Sequence, residues 1–282
     1  MRRFMLLIIA LAIFLPTLAQ AYDVLVLQSR REPMSDAVLQ SFTAASGYSQ
    51  RLIVMNDYAE VDAVRLVRED HPRLVLALGD SAVEAARSIR QTPVLALLSL
   101  KVHNRLPNNM TAITLFTPPE RYMELFSSLG LKRIGLLYDE TKTDWYLQKA
   151  RAAAKRKGIV LVPKKISSPK QVLLALAEIA PDVDGLWMLP DSTAVYHMSV
   201  ESWFVTGMGR NLPVISFAEH FLGKGASAVL APDLTDLGRQ AAETASSIIK
   251  GADYDGPIWP RTTPVKTNPA VLRKIAEWSK RP

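Results

Sequence analysis

From Val24 to Arg239 the chain repeats one pattern: a short apolar run, a polar turn, then a stretch whose apolar residues fall at helical spacing. That alternation predicts an α/β fold with parallel sheets. Neighbouring parallel strands need a long crossover between them, and a helix is the usual one. Leu74–Leu78 (LVLAL) is apolar throughout, as a strand covered on both faces should be.

In chain order, strands are expected at Val24–Gln28, Leu52–Met55, Leu74–Leu78, Val94–Leu98 and Ala112–Phe116. Between them, Ser35 reads as the cap of a helix carrying Val38, Leu39, Phe42 and Ala45, and a second helix carries Val61, Val64 and Val67. Thr117-Pro118-Pro119-Glu120 marks a first crossing into a second lobe, with Thr117 as cap and proline in the first turn of the next helix. The second lobe is expected to hold strands at Ile134–Tyr138, Val160–Val162, Gly185–Leu189 and Val214–Phe217. Ala228–Leu230 is a further strand, followed by a helix through Leu234, Leu237, Ala241, Ala245 and Ile248. The Pro-rich tail from Asp255 to Pro264 reads as a strap over the surface before a short helix at Pro269–Trp278.

The first 21 residues stand apart from this pattern. Met1-Arg2-Arg3 is basic, Leu6 to Leu15 is apolar, and Ala19-Gln20-Ala21 has the form of a cleavage site, so a secretory signal peptide is expected. The apolar run is too short for a bilayer, which needs roughly 20 residues. The domain expectation is therefore a signal peptide at 1–21, lobe I at 22–117 plus about 222–255, and lobe II at 118–221 plus about 256–282. Export to the periplasm follows.

Several function classes fall away on composition. With no cysteine there is no disulfide, thiolate metal site, cysteine nucleophile or lipid-bearing N-terminal Cys. The net charge of +7 is spread thinly, and the densest basic run, Lys149–Lys157, reads as a solvated helix face, so no nucleic acid partner is expected. The four histidines, at 71, 103, 197 and 220, are scattered without metal-ligand spacing. Gly79-Asp80-Ser81 superficially matches a hydrolase nucleophile block, but the late Asp-x-x-His that such an enzyme needs is missing. No catalytic residues, cofactor or metal are expected.

What remains is the set of polar loops at strand ends. LALGDSAVEA (Leu76–Ala85) and WMLPDSTAVY (Trp187–Tyr196) share an apolar strand, a Gly or Pro, Asp-Ser and a small-residue helix start, one in each half. Equivalent loops of two lobes facing a cleft are what a hinged binding protein needs. On that reading Asp80, Asp191 and Glu219, all just after strands, face one cleft.

The segments LVLALGDSAVEA, RIGLLYDETKTDW, GLWMLPDST, LPVISFAE and APDLTDLGRQAAETASSIIKG resemble, in order and spacing, the substrate-binding components of ABC transporters whose known members bind tryptophan and related small molecules. The resemblance implies the type I periplasmic-binding-protein fold, two Rossmann-like lobes joined by three crossing strands. It places Gly79, Asp80 and Ser81 at the ligand loop of the first lobe, and Asp139, Glu140, Asp191, Ser192 and Glu219 at loops of the second. Asp233 would lie at the last crossing. It also implies a monomer that closes on a small-molecule ligand and docks on an ABC permease. A membrane sensor is the alternative partner, because both would use closure of the same cleft. The chain departs from the family in having Ser99-Leu100-Lys101-Val102 after the fourth strand, Ser192 in place of an amide, and no lipid-anchoring cysteine. Lys101 in the cleft would favour an anionic group.

Overall fold

The computed structural model describes residues 22–102, 106–254 and 256–278. The leader expected at 1–21 and His103 lie outside the described residues. The chain forms two α/β lobes, each built on its own sheet.

In the first lobe the order along the chain is β1 (Val24–Gln28), α1 (Pro33–Ser46), β2 (Gln50–Val54), α2 (Ala63–Asp70), β3 (Leu74–Leu78), α3 (Asp80–Ala86), β4 (Val94–Leu97) and β5 (Met110–Ala112). The strands pair in the order β2-β1-β3-β4-β5, all parallel. All five residues of β1 and of β3 are buried, which is why these central strands are apolar without alternation. The chain then builds α4 (Pro119–Ser128), β6 (Arg133–Tyr138), α5 (Glu140–Lys157), β7 (Val160–Lys165), α6 (Val172–Ile179), β8 (Gly185–Trp187), α7 (Val200–Arg210), β9 (Val214–Ser216) and β10 (Ala228–Leu230). Helix α8 (Leu234–Ile249) follows, then β11 (Val265–Thr267) and α9 (Pro269–Trp278). The second sheet runs β11-β10-β9-β8-β6-β7, with only β11 antiparallel.

Helix α8 returns to the first lobe and packs on α1, where Leu237, Ala241, Ala245 and Ile248 meet Val38 and Phe42. Their close approach depends on Gly238. A Cβ there would sit 2.5 Å from the Val38 carbonyl oxygen and 2.6 Å from Ser41 Cβ. Ser41 Oγ uses the same proximity to donate to the Thr235 carbonyl at 2.6 Å.

Three crossings link the lobes, and they are hydrogen-bonded side by side. Ile113 bridges Ile258 in parallel, with Ile258 N–H donating to the Ala112 carbonyl at 2.8 Å and Thr114 N–H to the Ile258 carbonyl at 2.9 Å. Asp233 N–H donates to the Thr262 carbonyl at 3.0 Å. Gln240 of α8 clamps the third crossing by donating to the Trp259 carbonyl at 2.9 Å and accepting from Arg261 N–H at 3.0 Å. Below the crossings, Trp259 and Phe116 join Trp145, Tyr146 and Trp187 in an aromatic cluster of the second lobe.

Four sequence expectations are corrected here. Ala228–Leu230, expected in lobe I, pairs with β9 in the second sheet, so the second crossing falls at 231–233 and not near residue 222. Of the stretch expected as a surface strap, residues 256–264 contain the third crossing, and Val265–Thr267 continues it as an edge strand. Helix α1 starts at Pro33 with Glu32 at its cap position, leaving Ser35 buried in the first turn, where its hydroxyl donates to the Glu32 carbonyl at 3.1 Å. Likewise Pro118, not Thr117, occupies the cap position of α4. In both places a proline fixes the first turn.

Candidate functional site

The ends of four parallel strands and two of the crossings enclose a cavity of about 240 Å3 between the lobes. The first lobe contributes Met34 after β1, Leu100 after β4 and Leu234 of α8. The second contributes Pro190 after β8 and Phe217, Ala218, Glu219 and His220 after β9. Leu115, Ala231 and Pro232 of the crossings form its floor. Ligands of parallel α/β sheets bind at such carboxyl ends. Most of the lining is apolar, and the charged and titratable groups stand together on the second-lobe side.

Local strain sits beside this cavity. Gly79 caps α3 with φ +90°, and a Cβ there would lie 2.8 Å from Ser29 Oγ. Ser29 takes that position because its hydroxyl oxygen accepts the Ala82 N–H at 2.9 Å, closing the first turn of α3. Leu98, at the end of β4, has φ +56°, a conformation that costs a bulky residue about 1–2 kcal/mol. It turns the chain so that Leu100 reaches the cavity.

The acidic residues of the expected site are engaged in building loops. Asp191 is only 1% exposed and accepts four hydrogen bonds. Its Oδ2 takes Asp139 N–H at 2.7 Å and the Thr143 hydroxyl at 2.5 Å, while Oδ1 takes Thr193 N–H at 2.8 Å and Ala194 N–H at 3.1 Å. This carboxylate ties the loop after β6 to the loop after β8. Asp139 caps α5, accepting from Thr141 N–H at 2.9 Å and from the Thr193 hydroxyl at 2.7 Å. Burial alone would push the Asp139 carboxyl up; the Thr141 and Thr193 hydroxyls, the Thr141 N–H and the Lys142 charge outweigh it and hold it below the usual carboxylate range. Glu140 is exposed and ion-paired with Lys165. Asp233 caps α8, accepting from Asp236 N–H at 2.8 Å.

Asp80 is exposed but its Oδ1 accepts from Ser99 Oγ at 2.5 Å, bridging the loops after β3 and β4. Ser81 and Lys101 are both exposed at these ends of the first sheet. Ser192 is exposed and accepts from Lys142 Nζ at 2.9 Å. Of the expected carboxylates only Glu219 lines the interlobe cavity, and it pairs with Lys266 at 2.6 Å. Beside it, burial, helped by the Lys224 charge, holds the His220 imidazole below its ordinary range.

Sequence reasoning weighs Phe217 chiefly as core and singles out neither the rest of the apolar lining nor Lys142 as site residues. Phe217 reads as the last residue of a buried strand, whereas β9 stops at Ser216 and Phe217 is half-buried at the cavity. Lys142 lies in the YDETKTDW segment, two residues past Glu140. Among the described residues no group of three or more His, Asp or Glu could hold a metal, and no helix is long and apolar enough to cross a membrane.

Comparison with known proteins agrees with this architecture. A tyrosine-binding protein of Clostridioides difficile (strain R20291) is 24% identical over 147 residues, which is 51% of this chain and 42% of that protein. The structure superposes on a ligand-free, open substrate-binding protein with adhesive properties from Clostridium difficile with TM-score 0.70 and 19% identity, covering 90% of this chain and 94% of that one. It also superposes on the ABC domain from Streptococcus pneumonia in complex with L-Trp, with TM-score 0.62 and 16% identity over the same shares. These structures establish the type I periplasmic-binding-protein fold. Residues 59–263 match the family described as ABC transporter substrate binding protein, which is most of the chain, and the chain belongs to that family.

Proposed function

We propose that this protein captures a small organic molecule with an apolar body and a polar head between its two lobes, closes on it by bending at the three crossings, and presents it to the permease of an ABC-type uptake system. One observation carries this reading: the cavity of about 240 Å3 is lined from both lobes and floored by the crossings, so its volume depends on the angle between the lobes. A ligand touching both walls favours the closed arrangement by its differential affinity for it.

The apolar lining, with Phe217 half-buried against it, suits an aromatic or branched aliphatic group. The tyrosine-binding relative and the L-Trp complex support an amino-acid-like solute. The role is non-catalytic, and the site of action is extracytoplasmic, as expected from the leader.

Thermal unfolding of the purified protein against amino acids, aryl and alkyl carboxylic acids, nucleobases and sugars tests the reading. At one hundred times its dissociation constant a ligand adds roughly 2.7 kcal/mol to native stability. An upward shift is expected with an apolar-bodied acid or amino acid. A folded protein that shifts with no member of the panel would overturn the proposal.

A further inference from the structure

One cation at the carboxyl ends of the second sheet reaches its neighbouring carboxylate only through a hydroxyl. Lys142, in the first turn of α5, is half-buried, and its Nζ donates to Ser192 Oγ at 2.9 Å and to Thr193 Oγ1 at 2.7 Å. Among the described residues it makes no ion pair; Thr193 stands between it and Asp139, donating to Asp139 Oδ2 at 2.7 Å. A half-buried ammonium commonly pairs directly with a carboxylate or phosphate, where the charge-assisted hydrogen bond is strongest. Here two neutral hydroxyl oxygens hold the side chain in one place instead.

An ammonium has three N–H donors, and two are used. Ser192 Oγ accepts from Lys142, so its own O–H is available to donate. Two donors, one of them charged, thus sit 2.9 Å apart at the exposed end of the loop after β8. Along the sheet, β8 lies between β9 and β6. The donor pair, after β8 and β6, is therefore next to the cavity wall formed by Pro190 and Phe217, after β8 and β9.

We propose that Lys142 Nζ and Ser192 Oγ form a carboxylate clamp at the second-lobe rim, each donating to one oxygen of a carboxylic acid whose apolar body fills the adjoining cavity. The assignment rests on the cleft being the ligand site. Its substrate class is a small carboxylic acid that needs no α-ammonium. The acidic groups of the same loops are already engaged: Asp191 by four donors, Asp139 by its cap, Asp80 by Ser99 and Glu219 by Lys266. Lys101, exposed after β4 on the opposite lobe, adds a second positive charge of the kind such a ligand favours.

Three probes sharing one ring system separate the possibilities: indole-3-propionate, L-tryptophan and tryptamine, titrated calorimetrically into the purified protein and into Lys142→Met, Ser192→Ala and Lys149→Met. Indole-3-propionate is expected to bind at least as tightly as L-tryptophan, with no heat from tryptamine. Lys142→Met should weaken it tenfold or more, Ser192→Ala less, and Lys149→Met, an exposed substitution further along α5, not at all. Lys142→Arg should recover part of the loss. Far-UV circular dichroism confirms folding, and Ser192→Ala, at an exposed side chain, carries the test if Lys142→Met does not fold.

Tenfold tighter binding of L-tryptophan, binding of tryptamine, or less than a twofold effect of both clamp substitutions overturns the clamp and leaves the cleft reading standing. The same holds if only solutes without a carboxylate shift the unfolding of the protein. If no solute of the broader panel binds at all, the cleft reading falls and the clamp with it.

Discussion

Asp191→Ala should be among the most destabilising substitutions in the second lobe. The side chain is 1% exposed and accepts from two backbone N–H groups of its own loop, one of the β6 loop, and the Thr143 hydroxyl. Removing it strands three N–H donors in a site built around them. Each buried donor left without a partner costs about 1–3 kcal/mol, and hydrogen bonds to a charged acceptor lie at the upper end. Water entering the space left behind recovers part of that, so a net loss of about 3–5 kcal/mol is expected. For a chain of this size that lowers the unfolding temperature by on the order of 10 °C. Asp191→Asn keeps an acceptor for Thr193 and Ala194 but turns an amide N–H toward Asp139 N–H, and should cost about 1–3 kcal/mol. Differential scanning calorimetry of the three proteins measures both. A change of less than 2 °C for Asp191→Ala would refute the view that this carboxylate holds the two loops together.

Three further outcomes follow from other residues. Gly238→Ala drives a methyl group to 2.5 Å from the Val38 carbonyl and should cost at least 1–3 kcal/mol, read as a lowered midpoint in urea unfolding. Asp139 has its folded-state pKa depressed, so its contribution is present above about pH 3.8 and lost as pH falls through the folded value. The stability difference between wild type and Asp139→Asn, by thermal melts at a series of pH values, should therefore be full near pH 6 and shrink as pH falls below about 3.8. Glu219→Gln breaks an exposed pair with Lys266 and should change stability by less than about 1 kcal/mol in the same melts.

The architecture was legible because burial on both faces writes itself into a parallel strand as an unbroken apolar run. Leu74–Leu78 appears in the structure with the bounds read from the sequence, and Val24–Gln28 likewise. The lobe assignment of Ala228–Leu230 was not legible. A three-residue apolar strand carries no mark of which sheet it joins, and only its pairing with β9 decides that.

At the site, residue type alone misled. Asp191 and Glu219 both follow strands, yet one is buried under four donors and the other lines the cavity. Polarity identifies a loop residue but not the direction its side chain takes, because a loop's own N–H groups compete with a ligand for each carboxylate. The lining residues Leu100, Leu115 and Phe217 were not assigned to the cleft for the converse reason. Apolar residues near strand ends read as core, and a cleft between lobes is a second place to which apolar groups are drawn.

If ligand enters the space between the lobes, filling that space should abolish binding. Ala218 lines the cavity between Phe217 and Glu219, so Ala218→Trp inserts an indole where the ligand's apolar body should sit. The measurement is the affinity of wild type and of this variant for the strongest binder of the solute panel, by calorimetric titration, with folding confirmed by circular dichroism. Loss of affinity by tenfold or more in a folded variant is the predicted result. Unchanged affinity would place binding elsewhere on the molecule and rule out capture between the lobes.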